Sequence, residues 1–72
     1  MEEEYLTVIA KQVLVDDGSV LIFEGIDVET GDEVRFVCDH SVAEPIWWAI
    51  TAGEEPECAV PDWAVVRRVR AA

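Results

Sequence analysis

Cys38 and His40 stand two residues apart, and Cys58 is the only other cysteine. On a strand, a Cys-x-His step puts both ligands on one face. With Cys58 from a neighbouring strand and a nearby acid, the shell of a zinc ion would be complete. A thiol beside an imidazole is also the start of a nucleophilic pair. Structural zinc sites show close-spaced ligand pairs twice, and the second pair is missing here. No glycine-rich turn near either cysteine supplies an oxyanion site. Two small core cysteines and a surface histidine at a helix start account for the same residues.

The carboxylates come next. They cluster at expected turns and ends: Asp16-Asp17, Glu29 with Asp32 and Glu33, and Glu54-Glu55 with Glu57. General acid–base catalysis needs two carboxylates in different environments within one cleft. Acids at turns are instead the usual solvated positions. A sharper reading is that rows of carboxylates imitate nucleic-acid phosphates and fill a protein's positive groove. Asp16-Asp17-Gly18-Ser19 lacks the spaced ligands and distal Glu of a calcium loop.

Trp47 and Trp48 are adjacent. On a helix, Val42, Ile46, Ala49 and Ile50 would share the buried face, with Trp47 at its margin near Ala43. Trp48 would then point outward beside Glu44 and Thr51. Exposed tryptophans are enriched among binding hot spots. The competing arrangement rotates the helix or tucks Trp48 under the loop that follows. Arg67, Arg68 and Arg70 sit near the C-terminus, where they would pair with the protein's own acids, among them those around Glu24 or Glu2–Glu4.

Positioning these residues requires a sheet. Met1–Glu4 is a charged end without an apolar anchor and is expected to fray. Residues 5–70 are expected to form a single domain. Tyr5–Val15 reads as a long strand, bent or bulged near Ala10 because neither face is purely apolar. Val20–Val28 follows an Asp-Asp-Gly-Ser turn, with Gly25 marking a bend or bulge. Glu33–Cys38 is a third strand with Val34, Phe36 and Cys38 on one face. The period then changes. Asp39 or Ser41 would cap a helix running to about Ala52, with Ser41 and Glu44 in capping-box spacing and Gly53 as the stop. Glu57–Val60 and Trp63–Val69 are the last strands. The order β-β-β-α-β-β resembles an OB-type small antiparallel barrel. The alternative is an open antiparallel sheet with the helix packed on one face.

Composition bounds the function. Seventy-two residues make one small domain, 51% hydrophobic and not disordered. Residues 1–62 hold all 16 acids and two of the five bases, a net −14. Residues 63–72 hold the other three bases and no acid, a net +3, and the whole chain carries −11. That balance argues against binding phosphate backbones. No apolar stretch reaches a membrane span, and Met1-Glu2-Glu3-Glu4 is the reverse of a signal peptide's basic start. A cytoplasmic protein without a cofactor is expected, with both cysteines reduced.

No nucleotide loop, nucleophile elbow or zinc-protease pattern is present. The reading that remains is an acidic, non-enzymatic, regulatory or inhibitory module. Its partner would be a protein with a basic, partly apolar surface, or a second copy of the chain in a homodimer. Trp48, Glu44, Trp47, Glu54 and Glu55 are the candidate binding residues. A metal- or small-ligand module near Cys38 and His40 is one alternative. A nucleic-acid mimic encoded by a phage or mobile element is another.

Overall fold

A computed structural model describes residues 4–16 and 20–71. Met1–Glu3 and the glycine of the first expected turn lie outside those residues. Five antiparallel strands form one sheet: β1 (Tyr5–Asp16), β2 (Val20–Asp27), β3 (Glu33–Asp39), β4 (Glu57–Pro61) and β5 (Val65–Val69). One helix, α1 (His40–Thr51), stands between β3 and β4, and a 3-10 turn (Asp62–Ala64) separates β4 from β5. The strand order across the sheet is β4-β1-β2-β3-β5. The β4 and β5 edges do not pair, so the sheet is not closed.

Alternation fixes the inner face. In β2, Leu21, Phe23, Gly25 and Asp27 are buried. Val34 and Phe36 continue that face across β3, and the Phe23 and Phe36 rings stack at 5.5 Å. β1 is the irregular strand. Val8 and Ala10 are buried, and Ala10 pairs with Gly25. Lys11 is then an extra residue, and the register resumes at Gln12 opposite Glu24. One inserted residue reverses the alternation, so Val13, not Gln12, packs on the core. A second shift follows between Val13 and Val15. The bulge expected near Ala10 is therefore present. Gly25 itself does not bulge. It lies across from the bulged strand, where a Cβ would collide with the Ile9 carbonyl oxygen and sit 2.8 Å from Val8 Cγ1.

The helix begins at His40, directly after β3. Asp39 is its N-cap residue and makes no side-chain capping bond. Ser41 is inside the helix, so the expected Ser41–Glu44 capping box does not form at its start. The C-terminus follows the sequence closely. Gly53 has φ +87°, and its N–H donates to the Ile50 carbonyl while that of Glu54 donates to Ala49. These two bonds satisfy the last helical carbonyls in a Schellman motif.

α1 packs against β1, β2 and β3. Ala43 is fully buried, with Ile46, Trp47 and Ile50 packed on the core. Val42 was expected on this buried face and is 61% exposed. The helix is thus turned so that Ala43 and Trp47, not Val42, join Ile46 and Ile50 on the buried side. The small Ala43 brings the helix close to the sheet, and the bulky Trp47 fills the flank.

β4 and β5 both run antiparallel to their neighbours. Since β1 and β3 are parallel to each other across β2, β4 and β5 point the same way. They are one run of chain that serves the β1 edge first and the β3 edge second. Only three residues make the change. Four peptide steps span at most ~14 Å, so the sheet must curl strongly at this corner.

Candidate functional site

The change of edge leaves a gap. β5 pairs with β3 only as far as Phe36 opposite Val65. Among the described residues, Val37–Asp39 therefore have no strand paired on that side. β4 is paired with β1 and leans away from β3. Between them lies a groove of about 270 Å³. Its walls are Phe36–Asp39 of β3, Val42 and Ile46 of α1, and Cys58–Pro61 of β4. Trp63 and Ala64 of the 3-10 turn close one end.

The groove is apolar inside and acidic at its rim. None of the described side chains that line it is basic. Asp39, Glu57 and Asp62 are exposed along the walls and the closed end. Val42 and Trp63 stand at the mouth, Trp63 being 72% exposed. Both cysteines line the groove as free, half-buried thiols. Burial, with Cys58 and Asp39 nearby, pushes the Cys38 thiol up to about 11. Burial and the neighbouring Glu57 push Cys58 up as well. Both are protonated at neutral pH and poor nucleophiles. No group of three or more metal-ligating side chains occurs among the described residues. The His40 side chain lies outside the described ones, so the Cys38–His40 juxtaposition stays a sequence reading.

The five residues singled out by sequence do not form one cluster. Trp48 is 59% exposed, with Glu44 exposed one helical turn earlier. Trp47 is half-buried and meets the Trp48 ring edge-on at 5.0 Å. Glu54 follows the helix C-cap and is exposed. Glu55 turns to β1, where it accepts from Lys11 Nζ at 2.5 Å. Val42 and Ile46 look into the groove from one flank of α1, whereas Trp48 occupies the outer side. The Trp48 patch and the groove are separate surfaces.

Sequence reasoning missed the groove, Trp63 and Asp27. Asp27 is 3% exposed at the inner end of β2. It accepts from the Glu29 backbone N–H at 2.9 Å and from Arg68 Nη2 at 2.7 Å. Asp32 accepts from Arg68 Nε at 2.7 Å and from the Ala71 N–H at 2.9 Å. Thr30 Oγ1 also accepts from Arg68 Nη2, at 3.0 Å. The arginines were expected to pair with the protein's own acids, among them those around Glu24 or Glu2–Glu4, and Arg68 does pair with acids of the chain. Its partners are these two aspartates, because Arg68 is opposite Val34 in register, beside the β2–β3 turn. Glu24 is held by Gln12 and Arg35 on the outer face. The parity of β2 pointed to Asp27: it shares the odd positions with Leu21 and Phe23. Trp63, expected to open the last strand, instead lies in the 3-10 turn, and β5 begins at Val65.

No protein family, curated protein or solved structure matches the chain.

Proposed function

We propose that this protein is a non-enzymatic binding module that engages a protein partner bearing a basic, partly apolar surface. The observation that carries the reading is the groove: an apolar interior, carboxylates of Asp39, Glu57 and Asp62 on or beside its walls, and large exposed side chains, Val42 and Trp63, at its mouth. Apolar anchors supply affinity, and carboxylates steer a positive partner and reject a negative one. Its volume is below the ~300–1,000 Å³ of drug-sized ligand pockets and suits one or two side chains. Protonated thiols favour packing over catalysis. Trp48 and Glu44 give a second, separate patch for a larger footprint or a second copy of the chain.

The element order resembles an OB-type barrel left open between β4 and β5, and this resemblance carries no function. An excess of carboxylates disfavours nucleic acid as the ligand. No helix among the described residues is long and apolar enough to cross a membrane. The mimic version of the reading is weaker than the groove. Glu24, Asp27, Asp32 and Glu55 are ion-paired to Arg35, Arg68 and Lys11, which breaks up any phosphate-like row.

The test is photo-crosslinking in host cells, with p-benzoylphenylalanine replacing Val42 or Trp48. A salt-sensitive protein adduct from position 42, mapping to a Lys- or Arg-rich segment, is expected. Adducts from position 48 alone would move the site to the helix's outer side. No adduct from position 42 overturns the groove reading.

A further inference from the structure

The groove differs from a generic apolar hollow in what borders it. On one side is a strand, β3, whose last three residues pair with β2 but, among the described residues, with no strand on the other side, where β5 gives way to the 3-10 turn. On the other is an edge strand, β4, which pairs with β1 and, among the described residues, with no strand beyond it. Unpaired strand edges are templates for further pairing. We propose that the groove is a vacant strand position, taken by an extended basic segment of the partner that pairs with β3 at Val37–Asp39. This rests on the binding reading above and names how the partner binds.

Three features favour an extended segment. Its backbone would meet N–H and C=O groups that the sheet leaves without a partner strand, and strand addition draws its affinity from such bonds. β5 runs antiparallel to β3, so an incoming strand of the same polarity would continue its line past Phe36. Every second side chain would then face the groove interior, between Phe36 and Val60. The alternate side chains would project toward the rim at Asp39 and Glu57, where Lys or Arg is matched in charge. The expected recognition pattern is therefore an apolar residue flanked by basic ones. Three residues of strand span only ~10 Å, so binding should be in the micromolar range.

The experiment uses the full chain and a displayed library of random decapeptides. Selection should enrich sequences with an apolar residue between Lys or Arg. The strongest binder is then remade with N-methyl groups on alternate amides, in both alternations. One alternation should weaken binding at least tenfold, because the methyl groups remove the donors that face β3. Binding should slow hydrogen exchange at Val37–Asp39. Val42→Arg, an exposed change at the mouth, should also weaken binding at least tenfold while leaving the melting temperature unchanged. If both N-methylated peptides bind as well as the parent, strand addition is overturned and the groove reading stands. If no basic peptide is enriched, or the binders ignore Val42→Arg, both are overturned.

Discussion

Asp27 has the least solvent of any described carboxylate, and its neighbours explain why it stays charged. The Glu29 N–H and the Arg68 guanidinium hold its carboxyl below the usual range despite burial. The Ala71 N–H and Arg68 do the same for Asp32. A carboxylate with a lowered folded value binds fewer protons than the unfolded chain does. Stability from this pair is present above the ordinary Asp value of ~3.9 and is lost as pH falls through the lowered one. Asp27→Asn should cost about 1–2 kcal/mol at pH 7, less than for a fully buried pair because the Arg68 side chain is 35% exposed. It should also flatten the loss of stability below about pH 4, as read by urea melts across pH. The thiols give a second expectation. With Cys38 raised to about 11, iodoacetamide should label it far more slowly at pH 8 in the folded protein than in urea. Equal rates would show an open groove wall. The Asp27 environment was legible in the strand parity. Its pairing with Arg68 was not, because those residues meet only through the β3–β5 register.

At the scale of elements, the strands and the helix stop were readable, and the helix rotation was not. Strand positions follow from β-branched runs and glycine turns, which are local. The rotation of α1 depends on what the helix packs against. Val42, Ile46 and Ile50 make as good a stripe on paper as Ala43, Ile46, Trp47 and Ile50. The sheet selects the second, with Ala43 wholly buried. Paired substitutions separate them. Ala43→Leu should destabilise by ~1–3 kcal/mol through overpacking. Val42→Leu should stay within ~0.5 kcal/mol because the side chain is mostly in solvent. Denaturant melts of the two variants check this, and the reverse order would return the helix to the first stripe. The β1 bulge shows the same division. Mixed faces signalled an irregular strand, whereas the choice of Lys11 as the extra residue came from the pairing with β2.

For the whole molecule, the governing quantity is the imbalance of 16 acids against five bases. Four contacts of 3.1 Å or less tie Lys11, Arg35 and Arg68 to acids, leaving a large carboxylate excess. Salt weakens those attractions and the repulsion among the remaining acids alike. Repulsion should dominate, so raising sodium chloride from about 0.05 M to about 0.5 M should raise the melting temperature by a few degrees. A fall would show that the Arg68 network outweighs the field. The overall charge was legible from the sequence. Whether the sheet closes was not, because that depends on pairings between residues at opposite ends of the chain.

The run from β4 into β5 also sets an order of events. β1, β2 and β3 pair through short turns, and their contacts are available as soon as neighbouring residues meet. The final run must bring Pro61 to Tyr5 and Val69 to Glu33, after the entropy of long loops has been lost. A nucleus built on Phe23 and Phe36 would therefore precede the arrival of both edges. In kinetic terms, Phe36→Leu should slow refolding, whereas Val60→Ala should mainly accelerate unfolding. Stopped-flow chevrons of the two variants distinguish this sequence from one in which the edges join first, where Val60→Ala would slow refolding instead. A chain whose last-formed contacts border its groove would open there first, without losing the meander behind it.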